Sequence, residues 1–157
     1  MKTNQILTAI ISPLKLTREE LLQIYTLAKL PMTESRIQSL LHQEESRDFE
    51  ACSFEELGAF LDGLILFKRG PSPSKTIKDT VVALTNNLIL KKIRIALELK
   101  EPEMEIIFAL GEAELSRQEL KSLFRKEDHK NFRACSDELL MAFLEGLDEY
   151  CYDETEG

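Results

Sequence analysis

Hydrophobic residues recur along the first half of the chain at the spacing of amphipathic helices. Stripes with apolar residues three, four and seven positions apart run through residues 6–14, 21–28, 37–41 and 57–64. Residues at this spacing share one face of a helix. The best candidate for a strand, residues 80–84, has no partner elsewhere in the sequence. The pattern therefore predicts an all-α fold with four short helices in this half.

The same four patterns return 83 residues later. Aligned without a gap, residues 4–67 and 87–150 are identical at 23 of 64 positions. The longest matches include Phe-Glu-Ala-Cys-Ser at 49–53 and Phe-Arg-Ala-Cys-Ser at 132–136. Such self-similarity at a fixed period indicates tandem duplication. Because a unit this small buries little surface alone, we predict two tandem homologous four-helix repeats packed together with pseudo-twofold symmetry.

Several predicted helices begin with a capping box, in which Ser or Thr is followed three residues later by Glu. The pairs are Thr17/Glu20, Ser53/Glu56 and Ser116/Glu119. The second helix of the second repeat carries Pro102 near its start instead, where proline is tolerated because the N–H lacks a helical partner.

Composition shifts divide the chain into four segments. We assign residues 1–69 to the first repeat, 70–85 to a linker, 86–151 to the second repeat and 152–157 to an acidic tail. The linker contains Gly-Pro-Ser-Pro-Ser, a sequence typical of loops. Residues 76–84 within it fit either a short helix or a docked extended segment, and the acidic tail is expected to be loose.

The fourth helix of each repeat carries an internal glycine. Glycine in a helix costs about 1 kcal/mol relative to alanine, so its presence in both copies indicates a close backbone approach. We expect the two fourth helices to be central and to meet at these glycines. The candidates for this repeat interface are Phe60, Gly63, Leu64, Phe143, Gly146 and Leu147.

Five stretches of the sequence together form a specific combination, at Leu61–Gly70, Leu84–Leu97, Phe124–Lys126, His129 and Arg133–Ser136. In these residues the chain resembles the YehS-like family of bacterial proteins, which carry a domain of unknown function twice. The resemblance covers nearly the whole chain. It implies a helical bacterial protein of the cytoplasm with no established activity, and it supplies no catalytic residues to carry over.

Composition is that of a globular protein, with 43% hydrophobic and 31% charged residues. No apolar run approaches the roughly 20 residues that span a bilayer, so no membrane association is expected. The three cysteines leave an odd thiol under any internal pairing, which fits a reducing compartment. The net charge of −8 is uneven, because eight acids and no base lie between residues 137 and 156. We therefore expect a cytoplasmic location.

The residues that could ligate a metal or act as nucleophiles are scattered. His42 and His129 do not align in the repeat, and Cys52, Cys135 and Cys151 form no C-x-x-C motif. The first two cysteines precede helix starts, where a thiol pKa can fall. Packing against the helix explains the same position, since cysteine often behaves as a small buried hydrophobe. We assign no catalytic residue, no metal ligand and no cofactor.

Basic residues are concentrated in the second repeat. As candidates for anion or nucleic-acid contact we single out Lys91, Lys92, Arg94, Lys121, Arg125, Lys126, His129, Lys130 and Arg133. On one face, such side chains could bind phosphates. A solvated helix surface is the alternative interpretation, and Glu127 and Asp128 interrupt the run.

Three classes of function fit these observations. The leading expectation is a non-enzymatic interaction module that binds a protein segment, because paired helical units readily form grooves. The alternative is an accessory nucleic-acid-binding protein that uses the basic second repeat. The third is an enzyme whose site is assembled across the repeat interface. A homodimer is compatible with each.

Overall fold

The computed structural model describes residues 3–41, 51–70 and 84–156, with side chains as far as residue 152. In these segments the chain forms eight α-helices and no strand. They are α1 (Thr3–Leu14), α2 (Arg18–Leu27), α3 (Glu34–Leu41), α4 (Phe54–Arg69), α5 (Asn86–Ala96), α6 (Glu101–Leu110), α7 (Arg117–Leu123) and α8 (Asp137–Glu156). The predicted all-α class is confirmed, with four helices in each repeat. Most of the predicted linker, including nearly all of residues 76–84, lies outside the described residues.

The predicted capping boxes are present. Glu20 donates its N–H to Oγ1 of Thr17 at 3.1 Å, and Thr17 donates its N–H to Oε1 of Glu20 at 2.9 Å. The boxes at Ser53 and Ser116 have the same reciprocal bonds. Pro102 lies in the first turn of α6, as the sequence predicts. The starts of these helices are therefore determined by local hydrogen bonding.

The two repeats pack reciprocally. Helix α4 packs against α2 of its own repeat and against α5 of the other, while α8 packs against α6 and α1. Exchanging the repeats leaves this set of contacts unchanged, which is what pseudo-twofold symmetry requires. The fourth helices are central, as expected. Each one, however, meets the first helix of the other repeat more extensively than it meets its own equivalent.

The two helical glycines serve a different contact from the one predicted. A Cβ added to Gly63 would overlap the carbonyl oxygen of Ile24 in α2, and a Cβ added to Gly146 would overlap that of Ile107 in α6. The close backbone approach therefore lies within each repeat. The prediction that these glycines meet each other is wrong, because the sequence repeat shows that a close approach recurs without showing its partner.

The aromatic candidates for the repeat interface also face inward. The ring of Phe60 lies 6.2 Å from that of Tyr25, and the ring of Phe143 lies 5.1 Å from that of Phe108. Both pairs join the second and fourth helices of one repeat. Leu64 and Leu147 are fully buried in the core. These contacts and the glycine approach together hold the second and fourth helices of each repeat at close range.

An asparagine near the start of the first helix, buried in the first repeat and half-buried in the second, joins three elements of each repeat. Asn4 donates Nδ2–H to the carbonyl of Leu40 at 3.0 Å and accepts the N–H of Cys52 at 2.8 Å. Asn87 makes the matching bonds, to Leu123 at 2.9 Å and from Cys135 at 2.8 Å. The asparagine thus joins its own helix to the end of the third helix and to the residue before the cap of the fourth.

Helix α8 is longer than its counterpart. Helix α4 ends at Arg69, which aligns with Tyr152, whereas α8 continues to Glu156. Residues 152–156, which belong to the predicted acidic tail, thus form the last turn of α8. Acidic residues disfavour a helix C-terminus through the helix dipole, but the effect is typically only about 0.3–1 kcal/mol for each charge.

We predict opposite effects for two glycine substitutions in α4. Gly63→Ala should destabilise the protein by about 1–3 kcal/mol, because the new methyl group meets the backbone of α2. Gly58→Ala should stabilise it by up to about 1 kcal/mol, since a Cβ there meets nothing within 4 Å. Urea denaturation measures both changes. Equal effects of the two substitutions would contradict the close approach.

Replacing either asparagine should destabilise the protein strongly. We expect Asn4→Ala and Asn87→Ala each to lower the free energy of unfolding by about 2–4 kcal/mol, because buried N–H and carbonyl groups lose their partners. The exposed Gln23→Ala serves as the control and should change it by less than about 0.5 kcal/mol. If only one of the two asparagine substitutions lowered the free energy of unfolding, the hydrogen bonds of Asn4 and Asn87 would not be equivalent.

Candidate anion-binding groove

A groove of about 520 Å³ lies between the end of α4, the second half of α5, the turn that leads to α6 and the end of α7. Its apolar lining comes from Ile95, Leu99 and Phe124. Its charged lining consists of four cations and one carboxylate, from Arg69, Lys91, Arg94, Lys100 and Glu98. The groove is therefore a positive region on a protein whose net charge is −8.

The side chain of Arg94 is held rigidly in this groove. Its guanidinium carbon lies 4.7 Å from the centre of the Phe124 ring, in a cation–π contact. Its Nε–H donates to the carbonyl of Leu99 at 3.1 Å, while the N–H of Leu99 donates to the carbonyl of Arg94 at 3.0 Å. These contacts leave the two Nη groups of Arg94 free to form a bidentate contact with a carboxylate or phosphate.

The other cations of the groove differ in how they are paired. Nε of Arg69 lies 3.0 Å from Oε1 of Glu98, which joins the end of α4 to the turn after α5. Lys91 and Lys100 are exposed and form no ion pair with the described residues. The positive charge of these two lysines is thus not neutralised within that part of the chain.

The repeat-equivalent positions show that the shared fold does not require these charges. The counterpart of Arg69 is Tyr152 in the second repeat, and the counterparts of Lys91, Arg94, Lys100 and Phe124 in the first repeat are Thr8, Ile11, Thr17 and Leu41. All five counterparts are uncharged, although both repeats form the same four helices. The helical architecture that the two repeats share therefore does not require the cationic lining of the groove.

The structure divides the nine predicted contact residues into separate groups. Lys91 and Arg94 line the groove. Lys92 instead forms an ion pair with Asp62 of α4, and Arg133 pairs with Glu119 at 3.0 Å. Because both cations are held in ion pairs within the protein, Lys92 and Arg133 are not available as free contact residues.

The remaining predicted residues follow α7 or lie on it. Nη1 of Arg125 is 3.4 Å from Nε2 of His129, whose Nδ1 accepts the N–H of Asn131 at 3.0 Å. The other three are exposed on α7 and in the turns after it: Lys121, Lys126 and Lys130. They do not line the groove.

Sequence reasoning found only Lys91 and Arg94 among the eight lining residues. The missed residues include the two other cations and the aromatic ring, which are Arg69, Lys100 and Phe124. Two of these lie outside the basic runs, and Phe124 looked like an ordinary core residue. A signal was available, because each differs in charge or aromatic character from its counterpart in the other repeat. Comparing the two copies for differences, rather than identities, would have found all three.

The cysteines next to helix starts have the properties of packing residues. Burial raises the pKa of Cys52 to about 12, with a smaller increase from the charge of Glu56. Burial also raises the pKa of Cys135 to about 11. Their Sγ atoms lie 3.4 Å and 3.5 Å from the carbonyl oxygens of Ser53 and Ser136. Both thiols are therefore protonated at neutral pH and poorly suited to nucleophilic attack.

The described residues were compared with the requirements of a metal site and of a membrane-spanning helix, and they meet neither. No group of three or more His, Cys, Asp and Glu side chains there could hold a metal ion. None of the helices in residues 3–41, 51–70 and 84–156 has the length and apolar character needed to cross a membrane.

The thiols should react with an aromatic disulfide reagent in two stages. All three cysteines are thiols and not disulfides, and Cys151 is only partly buried. We expect one thiol, Cys151, to react readily at neutral pH, while Cys52 and Cys135 react only on unfolding or toward the pH of their raised pKa values. In Cys151→Ser the first stage should disappear. Rapid reaction of two thiols in the folded protein would contradict the assigned burial.

Comparisons with known proteins agree with the duplicated architecture. A family model described as a protein of unknown function (DUF1456) matches twice, at residues 3–70 and 86–150. The chain is 35% identical over 147 residues to "Uncharacterized protein YehS" of Escherichia coli (strain K12), covering 94% of each sequence. No solved structure shows significant similarity. The chain therefore belongs to the DUF1456 family and contains its domain twice.

Proposed function

We propose that this protein is a non-enzymatic interaction module that binds an acidic protein segment in the groove formed by α4, α5 and α7. The observation that carries the proposal is the groove itself, in which three apolar side chains are accompanied by Arg69, Lys91, Arg94 and Lys100. A segment with acidic side chains around one aromatic or aliphatic residue matches this surface in both charge and polarity.

The preorganisation of Arg94 supports a carboxylate-bearing ligand. Its stacking on Phe124 and its bond to Leu99 fix the guanidinium before a ligand arrives. A fixed guanidinium loses little side-chain entropy on binding, and its planar fork fits a carboxylate. Lys91 and Lys100 add flexible charges beside it. Binding should therefore weaken as salt is added.

We also propose that the protein acts in the bacterial cytoplasm. Three cysteines in the thiol form support a reducing compartment. Two of them are buried, so they are compatible with a fold that does not depend on disulfides. The Escherichia coli relative supports a bacterial origin, and it aligns with nearly the whole chain.

Nucleic-acid binding is a second candidate. It is favoured by the exposed side chains of Lys121, Lys126 and Lys130, which lie close in sequence to Arg125. Exposed cations of this kind could contact phosphates without reading sequence. The ion pairs of Lys92 and Arg133 reduce the basic surface available for this role.

Binding of labelled peptides tests the two candidates. We expect acidic nonapeptides that contain one aromatic residue to bind in fluorescence anisotropy, and the same peptides with serine in its place to bind more weakly. Arg94→Gln should weaken binding by about 10-fold or more, as expected for a charge-assisted hydrogen bond. Lys29→Gln, which makes the same change of charge at an exposed site away from the groove, should have little effect.

A single-stranded oligonucleotide provides the competing arm of the same experiment. Tighter binding of the oligonucleotide than of every peptide, with no effect of Arg94→Gln, would replace the proposed function by the nucleic-acid candidate. In that case Lys121→Gln and Lys126→Gln should weaken binding and reduce its salt dependence.

A further inference from the structure

The end of α8 has the composition that the groove is expected to bind. Residues 148–156 contain five acids and no base: Asp148, Glu149, Asp153, Glu154 and Glu156. Among them is Tyr152, an aromatic side chain that is 59% exposed. We call residues 148–156 the acidic segment. It combines negative charge with one exposed ring, the two features that complement the cations and the apolar lining of the groove.

The pseudo-twofold symmetry places the acidic segment away from the groove of its own chain. Tyr152 is the repeat equivalent of Arg69, so the end of α8 stands beside the first repeat's counterpart of the groove. In agreement with this, α8 packs on α1 and α6, whereas α4, α5 and α7 surround the groove. The segment of one chain is thus placed away from its own groove.

The acidic segment also extends beyond the repeat scaffold. Helix α8 continues four residues past the position where α4 ends, from the equivalent of Arg69 to Glu156. Four helical residues add about 6 Å of length. This extra turn has no counterpart in the first repeat, where the chain leaves the helix at Gly70. Like the charges of the groove, it is therefore not required by the duplicated fold.

We propose that the acidic segment of one copy of this chain binds in the groove of a second copy. This inference rests on the proposed function and names a partner for it. Each chain has one segment and one groove, so reciprocal exchange between two copies produces a closed dimer. The carboxylates of the segment then face Arg94, Lys91 and Lys100, and Tyr152 supplies the aromatic side chain.

Electrostatics determines the conditions in which this dimer forms. Each copy has a net charge of −8, so long-range repulsion opposes association. In the dimer, the cations of the groove are in direct contact with the acidic segment, and salt screens such short-range attraction least. At about 0.5 M salt the Debye length falls to roughly 4 Å, so these contacts should weaken as well. The dimer is expected to be favoured at moderate salt and lost at high salt.

Sedimentation velocity of the full chain over the micromolar range tests the proposal. We expect a concentration-dependent dimer at moderate salt. Two variants should each weaken it by about 10-fold or more. One is Arg94→Gln, which alters the groove, and the other combines Asp153→Asn, Glu154→Gln and Glu156→Gln, which removes three of the five negative charges of the segment. Lys29→Gln is the matched control, and thermal unfolding of every variant checks that folding is intact.

Mixing the two variants gives a sharper test. The groove variant retains a complete segment, and the segment variant retains a complete groove, so a mixed dimer keeps one of the two contacts. The mixture should therefore associate more strongly than either variant alone. A dimer that is indifferent to both variants would use another surface, and a chain that stays monomeric throughout would overturn the inference.

Peptide binding distinguishes failure of the dimer proposal from failure of the proposed function. A peptide of residues 148–156 should bind the intact chain and lose affinity with Arg94→Gln. If the acidic peptides of the earlier panel bind while this peptide does not, and the chain is monomeric, the groove binds another protein and only the dimer is wrong. If no acidic peptide binds, both proposals fail.

Discussion

The cysteine that precedes the cap of each fourth helix is hydrogen-bonded at both its N–H and its carbonyl, and the geometry of each repeat depends on these bonds. Asn4 accepts the N–H of Cys52, and the hydroxyl of Thr3 donates to the carbonyl of the same residue. In the second repeat Asn87 accepts the N–H of Cys135, and Asn86 donates to its carbonyl at 3.1 Å. Since these buried groups must be hydrogen-bonded, the start of the first helix determines where the fourth helix begins.

The fourth helix then organises the remainder of the fold. Its glycine allows the backbone of the second helix to approach closely, and its opposite side receives the first helix of the other repeat. An arginine of α3 reinforces the first repeat, since Arg36 binds both carboxylate oxygens of Glu56, the capping residue of α4, at 2.7 and 2.8 Å. This hydrogen bonding lowers the pKa of Glu56, so the cap remains charged. The second repeat uses a different arginine, Arg133, on the capping Glu119 of α7.

Duplication gave the protein two copies of one helical scaffold, and the surfaces of the two copies differ. The core residues of the two copies are largely the same, whereas the groove positions differ in charge and the ends of the fourth helices differ in length. One consequence is structural, because Lys92 of α5 pairs with Asp62 of α4 across the repeat interface, while the equivalent of Lys92 on α1 is Ala9. The other consequence concerns binding. The cationic groove and the acidic segment lie at separate, pseudo-symmetry-related positions of the molecule. Such separation favours binding between complementary surfaces over nonspecific attraction.

The sequence by itself determined the helical class, the duplication and the starts of the capped helices. It could do so because hydrophobic spacing and capping boxes are local, and because the chain supplies its own comparison at an offset of 83 residues. Only the tertiary structure decided the partners of these elements. A glycine kept in both copies indicates a close contact without saying whether Gly63 meets Gly146 or Ile24, and basic residues near each other in sequence can point apart, as Lys91 and Lys92 do. The groove joins α4, α5 and α7 across the repeat boundary, so its charges converge only when the two repeats have packed.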